Sequence, residues 1–116
     1  MTILINEEKT ELLSEGRKKV FFAITDSNGN EYRWHGNILP DIDVQAYLEM
    51  KEEEILLLIR RQEYPEMPAE IQTLEEAEKW IKDGCKIKVQ VGVDEIGKPI
   101  YEEKVAEKIK FRNTWE

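Results

Sequence analysis

The chain contains one histidine, His35, and one cysteine, Cys85. These are the two side chains whose chemistry runs closest to neutral pH. A thiol and an imidazole make a nucleophile–base pair only when the fold holds them within hydrogen-bond reach. The pattern around His35 puts it on the outer face of a strand, and Cys85 follows a helix end. The expected roles are a solvent-facing imidazole and a half-buried small thiol. One thiol and one imidazole do not complete a four-ligand zinc site. Asp26-x-Asn28-x-Asn30 opens like a calcium loop. Glu31 and Asn37, however, stand where that loop needs its glycine and its bidentate glutamate. The six glycines, at 16, 29, 36, 84, 92 and 97, are scattered and form no phosphate-binding loop. No catalytic residue, metal or cofactor is therefore expected. An enzyme relying on carboxylates alone stays as an alternative, with too many Asp and Glu for the sequence to select a pair.

Two sets of residues could instead bind. The first lies on the outer face of the expected sheet: Phe21, Arg33 and His35, with Lys86 and Lys88. An aromatic among cations is the general form of a single-stranded nucleic-acid platform. An ordinary polar sheet face edged with lysines explains the same residues. The second set is acidic: Glu49, Glu52 and Glu53, continued by Glu54, Glu63, Glu66 and Glu70. It reads as a surface for a basic partner or as a solvated helix face, with Lys51, Arg60 and Arg61 supplying intrahelical pairs.

Charge and composition limit the partners. The 116 residues carry a net charge of −8, which argues against general DNA binding or an anionic membrane surface. Residues 41–84 hold thirteen acidic and five basic groups, so the excess sits in the middle third. Hydrophobic residues are 41% and charged residues 36%, which predicts a thin core under a highly charged surface. A lone cysteine points to a reducing, cytoplasmic compartment. The first residues lack a basic segment and lose apolar character after Ile5, unlike a signal peptide. The run Ile55–Ile59 is far too short to span a bilayer.

These residues are positioned by elements that the patterning outlines. Val20, Phe22 and Ile24 alternate, as do Tyr32, Trp34 and Ile38, with Asn28-Gly29 between them: a hairpin over 18–38. Pro40 ends it, and Asp41 or Asp43 caps a helix over about 42–63. Within that span Ile55-Leu56-Leu57-Leu58-Ile59 also fits a buried strand. After a two-proline connector, Thr73-Leu74-Glu75-Glu76 has capping-box form and opens a helix over 74–83, closed by Gly84. Ile87, Val89, Val91 and Val93 alternate in a strand. Residues 94–98 turn, and 100–111 return as a strand, with a helix as the competing pattern. Residues 1–17 are poorly specified, with Thr2 to Ile5 as an edge strand. Trp115 is expected to pack on the core edge.

The expected fold is one α+β domain over 1–116: an antiparallel sheet of about four strands in β-β-α-α-β-β order, with two helices packed on one face. Trp34, Phe22, Leu48, Leu58, Trp80, Val89 and Val91 would centre its core. The expected function is a small non-catalytic interaction module, regulatory, adaptor or inhibitor, with a protein partner or a homo-oligomer. Single-stranded nucleic-acid binding is the alternative.

Overall fold

Alternating apolar residues build the first sheet. The computed structural model describes residues 3–115, so Thr2, expected in the edge strand, lies outside the described residues. Strands β1 (Ile3–Leu12), β2 (Lys18–Thr25) and β3 (Glu31–Ile38) form an antiparallel meander in that spatial order. The register sets Ile24 between Ile3 and Tyr32, and Phe22 between Ile5 and Trp34. Ile3, Val20, Phe22 and Ile24 are withdrawn from water. As the central strand, β2 is buried on both faces, since Phe21 and Ala23 are buried too. Trp34 is only half-buried, although Tyr32 and Ile38 on the same face of β3 are buried.

β1 runs well beyond the short edge strand expected. Residues 7–12 show no apolar alternation and are held instead by pairing, with Glu11 opposite Lys19. The register is irregular between Asn6 and Glu11. There the Asn6 side chain accepts from Lys9 N at 3.2 Å, and the Thr10 hydroxyl donates to Asn6 O at 2.9 Å.

The β2–β3 turn is Asp26-Ser27-Asn28-Gly29-Asn30. Asp26 Oδ1 accepts from the backbone N–H of Asn28 and of Asn30, each at 2.9 Å. Gly29 takes a φ of 83°, and in this turn it alone is left-handed. The turn at 94–98 repeats the arrangement. Asp94 Oδ1 accepts from Ile96 N at 3.0 Å and Lys98 N at 2.9 Å, and Gly97 also has a φ of 83°. One sequence pattern, Asp-x-x-Gly-x, thus makes both hairpin turns.

The expected single helix is two: α1 (Val44–Met50) and α2 (Glu52–Glu63), separated at Lys51 with φ −94° and ψ 4°. Asp43 caps α1, accepting from Ala46 N at 3.2 Å. Ile55–Ile59 is helical and not a strand. The buried positions of α2 are Ile55, Leu56, Ile59, Arg60 and Glu63. That stripe is turned relative to the expected one, so Leu58 faces water.

The described chain forms two compact units. One takes in the residues up to Leu56 and those from Arg112 on; the other runs Leu57–Phe111. In the first, α1 lies along β1, with Gln45 Nε2 donating to Ile3 O at 3.1 Å. In the second, α3 (Leu74–Lys82) is capped by Thr73, whose hydroxyl accepts from Glu76 N at 3.1 Å. Gly84 and Cys85, with φ of 103° and 56°, close α3 through Gly84 N to Ile81 O and Cys85 N to Trp80 O. Tyr64, Met67, Ile71, Ala77, Cys85 and Ala106 form this unit's core, with Trp80 half-buried against them. Tyr64 meets Trp80 edge to face at 5.4 Å.

Strands β4 (Lys86–Val93) and β5 (Pro99–Val105) pair only with each other among the described residues. The fold is α+β, with one three-stranded and one two-stranded antiparallel sheet in place of a single four-stranded one. Residues 107–112 do not extend β5, and the helical reading of 100–111 does not occur. The chain there is tied by Ala106 N to Cys85 O and Ile109 N to Glu63 O, each 2.8 Å. Val89 and Val91, expected in the core, are exposed, because β4 belongs to a sheet of two strands and not to the larger one. Phe22 and Leu48 are buried as expected.

The twin turns give a direct comparison. Asp26 is buried while Asp94 is exposed. Asp26→Ala removes a buried carboxylate together with both of its backbone bonds, and should cost about 1–3 kcal/mol. Asp94→Ala should cost under about 1 kcal/mol, because water replaces the carboxylate. Urea unfolding of both variants checks this, and equal costs would contradict it.

Candidate functional site

The residues expected to form one binding face are divided between the two sheets. Phe21, Arg33 and His35 share the outer face of β2 and β3, where Phe21 stands opposite His35 and Ala23 opposite Arg33. Lys86 and Lys88 lie on β4, in the other sheet. Phe21 is not an exposed stacking platform. It is 6% exposed, with the His35 ring 5.5 Å away and Lys19 Nζ 5.3 Å from its centroid. An aromatic this buried offers no open face to a base.

Part of that outer face is covered by the chain's own Trp115. Its indole N–H donates to Phe22 O at 3.2 Å. Arg33 and Lys9 lie 4.9 Å and 5.9 Å from the ring centroid, within cation–π range. Asn113 fixes the approach. Its side-chain oxygen accepts from Arg33 N at 2.7 Å, and its amide nitrogen donates to Glu31 O at 2.9 Å. The primary amide pairs with the free edge of β3 as a neighbouring strand would. Trp115 therefore packs on the sheet face that polar alternation assigns to solvent. Beside it is an open groove of about 530 Å³ lined by Leu4, Asn6, Glu7, Glu8, Glu31 and Trp115. Its carboxylates are exposed to water, without the enclosure that general acid–base work calls for.

The acidic set has a local explanation. Glu52, Glu53 and Glu54 occupy the first turn of α2, where the unpaired N–H groups favour negative charge. Glu49 accepts from Gln45 Nε2 at 3.1 Å, and Glu54 lies 3.5 Å from Lys51. Glu63, counted with them from sequence, is buried. Glu63 is 4% exposed and Arg60 6%. Arg60 Nη1 donates to Glu63 at 2.6 Å and Arg60 Nε to Glu78 at 2.9 Å, while Lys108 approaches Glu63 at 3.6 Å. This group ties α2, α3 and the segment after β5. Arg61 adds a guanidinium–carbonyl bond to Ile71. The signal for it is Arg60-x-x-Glu63 in phase with Ile59 and Leu56, which places charge on the buried stripe.

Cys85 is buried in the second unit, and His35 belongs to the first. The Cys85 thiol is 3.9 Å from Ile81 O. Burial pushes the Tyr64 phenol above its usual 10.0, and the neighbouring Cys85 and Glu63 push it the same way against Arg60. Among the described residues, no three His, Cys, Asp or Glu side chains gather as metal ligands would. No helix among them is long and apolar enough to cross a membrane.

The β4–β5 hairpin is the part that sequence reasoning missed as a surface. The register places Ile87, Val89 and Ile100 on one face. A bulge between Gln90 and Gly92 reverses the alternation, so that Val93, Tyr101 and Val105 share the other. Ile87 packs on the core cluster. The rest is open, with Val91 58% and Val105 65% exposed. Lys86 and Lys88 lie in this hairpin, Lys86 3.6 Å from Glu103 and Lys88 opposite the same residue. Strict period-two alternation gives β4 one apolar face; the extra residue at the bulge is what exposes two.

Comparison with known proteins returns no match to a family model, a curated protein or a solved structure.

Tyr64 makes stability pH-dependent with a definite sign. With its folded value above 10.0, the folded state holds the phenolic proton more tightly than the unfolded chain does. That contribution is complete below pH 10.0 and is lost as pH rises through the folded value. As pH rises above about 10, the unsubstituted chain should lose stability more steeply than Tyr64→Phe. Urea titrations across that range check it, and parallel curves would contradict it.

Proposed function

We propose that this chain is a non-catalytic interaction module acting through protein contacts, and that the β4–β5 hairpin is its contact surface. The supporting observation is a two-stranded sheet with exposed apolar side chains on both faces. A lone hairpin is marginally stable in water, since each strand pairs on one side only and its faces are uncovered. Exposed apolar groups contiguous over one element mark an interaction surface far more often than isolated ones do. Tyr101 is the residue type that anchors such contacts, large, rigid and amphipathic. The interspersed Lys86, Lys88, Glu102 and Glu103 would form the polar rim that fixes register and partner choice.

This reading moves the contact surface away from both sets singled out by sequence. Phe21 is buried, which removes the stacking group that single-stranded nucleic-acid binding relied on. The acidic set is accounted for by helix-end electrostatics and the Arg60 group. A reducing compartment suits a protein whose one thiol is buried and unpaired with another.

The test is capture from cell lysate, at low and high salt, by the immobilised full chain and two double variants. Val91→Lys with Tyr101→Lys should reduce retention at least about ten-fold, as loss of an anchor does. Glu52→Lys with Glu53→Lys should leave it unchanged. The opposite pattern would place the surface on the helices and contradict the proposal.

A further inference from the structure

We infer that the hairpin's partner is a second copy of this chain, meeting it about a two-fold axis along the outer edge of β4. This rests on the hairpin being the contact surface.

The edges narrow the choice. A sheet edge pairs with another chain through its free N–H and C=O groups. The outer edge of β3 is engaged by the Asn113 amide. The outer edge of β1 is interrupted by its irregular register between Asn6 and Glu11. The two edges of the hairpin are left, that of β4 from Ile87 on, since the Lys86 carbonyl accepts from the Trp80 indole N–H at 3.0 Å. A two-fold contact must be self-complementary, each residue facing its counterpart in the other copy. Antiparallel pairing of β4 about Val89 sets Val89 against Val89, Ile87 against Val91 and Lys88 against Gln90. No like charges face each other, and β4 carries no carboxylate. The same operation about the middle of β5 sets Glu102 against Glu102, like charges directly opposed, which is destabilising. The bulge at Val91 bounds the paired stretch at 87–91.

Charge permits the approach. The whole chain carries −8, a field that holds copies apart. Residues 86–105 hold four basic and four acidic groups, so the net charge lies entirely outside the hairpin. Two copies can meet there without patch-level repulsion. The dimer would join two two-stranded ribbons into one four-stranded sheet, a size that is stable where a lone hairpin is marginal.

Two measurements on the full chain test this. Light scattering after size exclusion, from about 1 µM to about 100 µM, should show mass rising to that of a dimer. Val89→Lys should hold the mass at monomer with an unchanged circular dichroism spectrum. Val89→Cys should form an intermolecular disulfide under mild oxidation, because Val89 faces itself across the axis; Tyr101→Cys should not. A monomer throughout the range overturns the inference, and so does a dimer that crosslinks through Tyr101→Cys and not Val89→Cys. A monomer whose lysate partners are lost with Val91→Lys and Tyr101→Lys overturns the second copy alone. A monomer whose lysate retention those substitutions leave unchanged overturns the contact-surface reading as well.

Discussion

An apolar strand is stable in water only where both of its faces find cover, and this requirement organises the first unit around β2. Val20, Phe22 and Ile24 point to one side, Phe21 and Ala23 to the other, and all five are buried. On the outer side, cover includes Trp115, a residue 93 positions from the Phe22 carbonyl that it bonds. Burying side chains of this size stabilises by roughly 1.5–3 kcal/mol each. That is ample to hold the closing residues against the sheet. Asn113 completes the arrangement by satisfying two backbone groups of β3. The same requirement fails at β4–β5. Ile87 packs on the second unit's core, while Val91, Val93, Tyr101 and Val105 stay exposed.

Charge in the second unit is handled differently from charge on the surface. Arg60 and Glu63 are withdrawn from water together, bonded to each other, with Glu78 and Lys108 alongside. Removing one member of such a group is far more costly than replacing the whole by apolar residues, because it strands a buried charge. Its role is positional: it sets the meeting of α2, α3 and the chain after β5. Its charged groups are engaged with one another. The exposed glutamates of α2 do a separate job, meeting the positive end of their own helix.

Local signals made much of this fold legible. The hairpin over β2 and β3, the Asp43 and Thr73 caps, the glycine closing α3 and the 94–98 turn all follow from residues adjacent in sequence. What escaped depends on long-range pairing. In β4, Ile87, Val89, Val91 and Val93 read as one buried face until the bulge and the missing second layer are known. β1 beyond Ile5 is a strand because β2 pairs with it, and its own composition gives no hint. Phe21 occupies a polar-side position by period, and only the neighbouring His35 and Lys19 side chains reveal that it is buried. Arg60 and Glu63 resemble any surface pair until the phase of the α2 stripe is fixed. Of the residues singled out for binding, Lys86 and Lys88 do lie on the hairpin proposed here, though for a reason the outer-face argument did not contain.

Amide hydrogen exchange, resolved by peptide and compared between dilute and concentrated protein, tests the central claim most directly. Exchange in 86–105 should slow as concentration rises, because its unpaired edge and open faces become covered, while 18–38 exchanges unchanged. Protection that rises in 18–38 or along α2, with 86–105 exchanging at one rate throughout, would show that the exposed hairpin is not where this molecule makes its contacts.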